Sequence, residues 1–160
     1  MDLNTFFSRN PVFTHDEFVR YLHTLGPKHK RKQAWLLEQN TRKKKIVRLR
    51  RELFAVVPPG TEPEHIAVDL YLLASKLAED AVLASHTALE FYGKAYSVTN
   101  QFTFQTGKRL APWFFRATHF KGVLFPKALR QSGSEFVGVK LVERAGVSIR
   151  VTSYERTLID

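Results

Sequence analysis

The chain of 160 residues contains no cysteine. Disulfide bonds and a thiol nucleophile are therefore excluded, and the composition fits a reducing compartment. The opening, MDLNTFFSRN, lacks the basic stretch and apolar run of a secretory signal. No apolar run approaches the ~20 residues needed to span a bilayer, so no membrane association is expected and the cytoplasm is the expected location. Internal repeats are missing too.

Catalytic signatures are equally scarce. No Asp or Glu is followed two positions later by Lys, which removes the D/E-x-K arrangement that restriction-type nucleases use to hold Mg²⁺ and activate water. G-x-S-x-G, P-loop and H-E-x-x-H patterns are absent. Gly133-Ser134-Glu135 has the glycine-serine start of a nucleotidyltransferase site, but no D-x-D pair follows, and a loop is the simpler reading. His86 and Glu90, four apart on an expected helix, make a local pair more readily than a metal site. Glu62, Glu64 and His65 sit on a proline-containing linker and read as solvated surface. Neither catalysis nor a cofactor is expected.

Positive charge is what the chain has in excess: 25 Lys and Arg stand against 15 Asp and Glu, a net +10. The 24 residues from Lys28 to Arg51 hold eleven basic side chains and one acid, Glu38, and so account for a charge equal to the total. Residues 1–60 carry 13 basic and 5 acidic groups, whereas residues 61–160 carry 12 and 10. Pro58, Pro59, Gly60 and Pro63 mark the junction, because proline continues neither helix nor sheet. Two domains are expected, 1–60 and 61–160. Apolar residues interrupt the basic run at Ala34 to Leu37 and at Ile46, Val47 and Leu49, so the segment can fold and present its charges on a fixed surface. The commonest partner for such a surface is a polyphosphate backbone.

In the first domain, Thr14-His15-Asp16-Glu17 has the form of a capping box. The helix it opens gathers Phe18, Val19, Leu22 and Leu25 on one face and stops at Gly26-Pro27. Leu3, Phe6 and Phe7 suggest a short preceding helix or turn. A second helix is expected from about Lys28 to Arg42, with Ala34 and Leu37 inward and Trp35 in the core. Lys28, Arg31, Lys32 and Gln39 then face outward, where a groove could be entered. Ile46 to Leu49 and Leu53 to Val57 are β-prone, and Arg50-Arg51-Glu52 links them as a hairpin. Two helices and a basic hairpin make a winged helix-turn-helix, whose second helix lies in the major groove while the wing touches the backbone. The expected DNA contacts are Lys28, Lys30, Arg31, Lys32 and Gln39 on the helix, Arg42, Lys43, Lys44 and Lys45 in the loop, and Arg48, Arg50 and Arg51 on the wing.

The second domain reads as α+β. Helices are expected over Asp69 to Leu77 and over Ser85 to Tyr92, each capped by its first residue, with Gly93 closing the second. Strands are expected at Ala81 to Ala84, Val98 to Phe104, Trp113 to Thr118, Val137 to Val142 and Val147 to Val151, the last two joined by Arg144-Ala145-Gly146. A final helix is opened by Thr152 and Glu155.

The ordered blocks FFSRNPVFTHDEF, LFAVVPPG, LYLLASKL, DAVLASHTALEFYGKAYSV and VTSYERTLID resemble the AbiEi antitoxins of type IV toxin-antitoxin and abortive-infection systems. The resemblance runs over essentially the whole chain. It implies an amino-terminal winged helix that binds inverted repeats in double-stranded promoter DNA, which would need two copies on that DNA, and repression of the protein's own operon. It also implies a carboxy-terminal antitoxin domain, functional pairing with a nucleotidyltransferase-like toxin, and a role in phage defence. Family members place glycine near the end of the second helix and in the wing turn, where Lys44 and Glu52 stand here. Either those turns differ or the two residues take left-handed conformations. The family continues past the ERTL segment, which implies that the antitoxin domain is cut short at Asp160. The alternative reading is a basic protein-interaction or RNA-binding module that docks an acidic partner such as the toxin.

Overall fold

The computed structural model describes residues 2–26 and 32–160. It is a mixed α+β protein with two sheets. The chain divides into two compact units, one formed by Met1–Asp69 with Ala145–Val147 and the other by Leu70–Arg144 with Ser148–Asp160.

In the first unit the described elements are α1 (Leu3–Arg9), β1 (Val12–Thr14), α2 (His15–Thr24), α3 (Gln33–Arg42), β2 (Ile46–Arg50) and β3 (Leu53–Val56). Asp2 caps α1 by accepting the Thr5 amide at 3.0 Å. The capping box at α2 forms in both directions: the Glu17 amide donates to Thr14 Oγ1 at 3.2 Å, and the Thr14 amide donates to Glu17 Oε2 at 2.8 Å. Phe6, Phe7, Phe13, Phe18, Leu22, Leu37, Ile46 and Phe54 form the core. Phe6 and Phe13 meet edge-on, with ring centres 5.1 Å apart. Strand β1 was not expected, since three residues beside a proline are too few to show alternation. It pairs antiparallel with β3, which pairs antiparallel with β2, so the sheet order is β1-β3-β2.

In the second unit α4 (Leu70–Ser75), β4 (Val82–Leu83), α5 (Ser85–Phe91), β5 (Gln101–Thr106), β6 (Trp113–Phe115), β7 (Thr118–Leu124), α6 (Lys127–Ser132), β8 (Val139–Arg144), β9 (Val147–Thr152) and α7 (Tyr154–Ile159) follow. The six strands lie in the order β6-β7-β5-β4-β9-β8. β5 runs parallel to β7, and β4 parallel to β9; β4 with β5 and β6 with β7 are antiparallel. Phe102 to Thr106 on β5 are all buried. A central strand covered on both faces loses the alternation by which strands are recognised.

Several expectations for this unit are corrected. Trp113 to Thr118 is not one strand: Trp113–Phe115 forms β6, Arg116-Ala117 is a turn with Arg116 at φ 53°, and Thr118 opens β7. β5 starts at Gln101 rather than Val98, because Glu90 Oε1 accepts the Thr99 amide at 2.9 Å and holds the preceding loop. Ser85 does not cap α5: Ala84 occupies that place and Ser85 has φ 54°. Ser153, not Thr152, caps α7 by accepting the Arg156 amide at 3.2 Å. Helix α6 was not expected. No helix among the described residues is long and apolar enough to cross a membrane.

Candidate nucleic-acid interface

Helix α3 begins at Gln33, with Lys32 in a non-helical conformation (φ −106°, ψ 6°) ahead of it. The expected start near Lys28 is therefore corrected for the described part, while Pro27, Lys28, Lys30 and Arg31 lie outside the described residues. Gln33, Leu36, Leu37 and Asn40 form the inward stripe at helical spacing. Leu37 and Asn40 are buried, and Asn40 Nδ2 donates to the Leu36 carbonyl at 2.7 Å. Two of the four inward residues are polar, which is why hydropathy placed the face wrongly.

The consequences fall on particular side chains. Ala34 is exposed rather than inward, and Trp35 is 55% exposed rather than core. The solvent face of α3 carries Trp35, Glu38 and Arg42, with Gln39 half-buried on its flank and Lys32 exposed at its start. Glu38 Oε1 holds Arg42 Nη2 at 2.6 Å across one helical turn. A carboxylate thus stands on the solvent face of α3, paired with the arginine one turn on.

After α3 the chain makes a tight turn that displays three consecutive lysines. The Lys44 amide donates to the Thr41 carbonyl and the Lys45 amide to the Asn40 carbonyl, each at 2.9 Å. This pair of bonds closes a helix with its last residue in the left-handed region, a place that glycine usually fills. Lys44 fills it here, at φ 55°. Lys43, Lys44 and Lys45 are exposed in consequence. The Val57 amide donates to the Lys45 carbonyl at 2.9 Å and ties this loop to the end of β3.

The hairpin follows directly. β2 runs to Arg50, one residue further than expected, with an irregularity between Arg48 and Arg50. The turn is Arg51-Glu52, and Glu52 has φ 63°. Arg48, Arg50 and Arg51 are exposed. At ~3.3 Å per residue, Lys45 and Arg51 are separated by roughly 20 Å. A duplex presents about twelve phosphate charges over such a length, at one per ~1.7 Å of axis.

All eight Lys and Arg residues from Lys32 to Arg51 are thus exposed, Lys32 ahead of α3 and the other seven on one run of helix end, loop and hairpin. Arg42 is held by Glu38, and Lys44 by Glu62, whose Oε2 lies 2.7 Å from Lys44 Nζ. That hydrogen bond, with the attraction behind it, raises the Lys44 pKa and lowers that of Glu62. Lys32, Lys43, Lys45, Arg48 and Arg51 have no acidic partner among the described residues.

His86, Glu90, Gly133 and Ser134 belong to the second unit. His86 Nε2 lies 3.2 Å from Glu90 Oε1 and 2.8 Å from the Ser97 carbonyl, the local pair expected of their spacing. Gly133 ends α6 at φ 64°, and Ser134 follows in a loop. Among the described residues no three of His, Asp and Glu converge as a metal site would require. No protein-family model matches this chain, and no curated protein matches it either.

Proposed function

We propose that the first unit is a winged helix that binds duplex DNA, and that the protein is an antitoxin repressing its own toxin-antitoxin operon. One observation carries the reading: Lys44 and Glu52 both adopt the left-handed conformation. Side chains with a Cβ reach it at a cost, and these are the two positions where the resembled antitoxins have glycine. The agreement is independent of charge. The run of exposed cations through Lys43–Lys45 and the hairpin supplies the electrostatics. Because Arg42 is held by Glu38 and Gln39 is half-buried, most of the affinity comes from loop and wing, which contact phosphate without reading bases.

The test is a salt titration of binding to a duplex bearing the inverted repeats of the gene's own promoter, beside a scrambled duplex and an RNA of equal length. With ~6 phosphates neutralised, log K falls against log salt with a slope near about −5. Arg48→Ala, Arg50→Ala and Arg51→Ala each reduce the slope by about 1 on both duplexes. A flat salt response, or preference for the RNA, would refute duplex binding. The antitoxin role is tested by co-expression with the neighbouring toxin gene, where failure to restore growth refutes that role and leaves DNA binding standing.

A second reading is favoured by the exposed Trp35 beside Glu38, since an indole and a carboxylate suit a protein partner better than a phosphate backbone. Trp35→Ala separates the two. Loss of toxin protection with unchanged duplex affinity assigns α3 to the toxin, whereas loss of duplex affinity assigns it to the groove.

A further inference from the structure

The near-neutral charge of the second unit conceals a segregation. Residues 91–134 contain seven Lys and Arg and no Asp or Glu, while the acids of this half lie in residues 61–90 and 135–160. The acid-free stretch builds β5, β6 and β7, which form one end of the six-stranded sheet.

On that end one row combines exposed side chains with a half-buried histidine, His119. Phe114 on β6 lies opposite His119 on β7, and His119 lies beside Gln101 on β5, so the three share a face. Lys121, two residues beyond His119, shares it as well. Phe114 is 66% exposed, and its ring is stacked on the His119 imidazole with centres 4.5 Å apart and planes 11° from parallel. Gln101 and Lys121 are exposed. Its strand neighbours point the other way: Trp113 packs on buried Phe120, with ring centres at 5.4 Å. Phe114 is therefore not a misplaced core residue but an aromatic held flat and outward by a histidine beneath it. The loop entering β5 meets the same row, since the His119 amide donates to the Asn100 carbonyl at 2.7 Å, and that loop carries the fully exposed Tyr96.

We infer that this face binds single-stranded nucleic acid, with a base stacked on the Phe114–His119 pair, polar contact from Gln101 and backbone phosphate on Lys121. The occupant follows from the chemistry. An exposed π-face calls for another π-face, and the Lys121 cation on the same face calls for an anion such as a backbone phosphate. A duplex hides the faces of its bases inside the stack, whereas a single strand offers them. This surface is built from residues of the second unit alone, and the inference does not depend on the first unit binding a duplex.

The experiment measures fluorescence anisotropy of labelled oligo(dT) and oligo(U), each of about a dozen nucleotides, with the full chain. Phe114→Ala weakens binding by about 5- to 150-fold, the range for loss of one stacked base, and Phe114→Trp preserves it. Lys121→Ala reduces the salt slope by about 0.7. Combined Arg48→Ala, Arg50→Ala and Arg51→Ala leaves single-strand affinity within about twofold. Near-ultraviolet circular dichroism unchanged by Phe114→Ala excludes unfolding as the cause. A stronger hold on oligo(U) or on oligo(dT) identifies RNA or DNA as the strand. The inference is overturned if neither strand binds, if Phe114→Ala leaves affinity unchanged, or if the wing variant abolishes single-strand binding.

Discussion

The two units put arginine to opposite uses. On the β2–β3 hairpin Arg48, Arg50 and Arg51 are exposed, and Arg48 Nε donates to the Arg50 carbonyl at 3.4 Å. On α7, Arg156 is 8% exposed and its guanidinium is fully employed. It donates to the carbonyls of Glu135 and Val137 at 2.6 and 2.5 Å, to Gln105 Oε1 at 2.8 Å and to Asp160 Oδ2 at 3.2 Å. Gln105 Nε2 also donates to that Asp160 oxygen at 3.0 Å, which closes the network. A net charge of +10 adds these groups together as if they were equivalent. Only the exposed ones can meet a polyanion; the buried one ties a loop, a central strand and a helix into one body.

The largest expected effect breaks this contrast directly. Arg156→Ala leaves Asp160 as an uncompensated carboxylate in a largely buried place and strands two carbonyls and Gln105, so stability falls by about 3–5 kcal/mol. Arg48→Ala, Arg50→Ala or Arg51→Ala changes stability by no more than about 0.5 kcal/mol, as is usual for exposed sites. Urea unfolding followed by circular dichroism measures both. Equal losses in the two regions would mean that the hairpin arginines are structural and that the contrast is false.

Left-handed backbone gives a second contrast, of smaller size. Gly138 has φ 68°, and a Cβ there would stand 3.2 Å from Arg156 side-chain atoms. Gly138→Ala therefore costs about 1–2 kcal/mol from backbone conformation alone. Glu52 already bears such a conformation at φ 63° in the hairpin turn. Glu52→Gly is expected to stabilise by about 0.5–1 kcal/mol, offset in part by a freer unfolded chain, and, under the proposed duplex binding, to strengthen it by removing an acid from the hairpin. Unfolding midpoints of the two variants should move in opposite directions. A loss of stability in Glu52→Gly would show that the turn is not strained.

What the sequence made legible depended on how local the signal was. The capping box at Thr14 and Glu17 and the pairing of His86 with Glu90 are interactions within one turn, and spacing alone specifies them. The hairpin from Ile46 was readable for the same reason, because turn and strands adjoin. Helix α3 was misplaced because polar Gln33 and Asn40 share its inward face, leaving Trp35 exposed where hydropathy buries it. β5 hid its alternation because Thr103 and Gln105 are as buried as Phe102 and Phe104. The Phe114–His119 stack depends on the register of a hairpin whose turn, Arg116-Ala117, carries no glycine to announce it. Charge segregation in residues 91–134 was present in the sequence throughout, but dividing the chain at Gly60 averaged it away.

The smallest effect bears most directly on whether the basic loop meets phosphate. Lys44 and Glu62 hold each other at 2.7 Å, and their hydrogen bond raises the lysine pKa and lowers that of the glutamate. The lysine part of any stabilisation is complete below its ordinary pKa and is lost as pH rises through the raised value. The glutamate part is present above its ordinary pKa and is lost as pH falls through the lowered value. Between these limits both groups are charged, so stability is flat with pH across neutrality, and added salt weakens the exposed pair. A duplex that draws Lys44 onto phosphate must take it from Glu62. Carbon-detected magnetic resonance of the Glu62 carboxylate should therefore show titration below the ordinary glutamate range in the free protein and a return toward that range on adding duplex. Glu62→Gln, which releases Lys44 in advance, should bind the duplex slightly more tightly. If the Glu62 titration is unmoved by saturating duplex, Lys44 is not in the interface, and the DNA-contacting part of the loop contracts to Lys43 and Lys45.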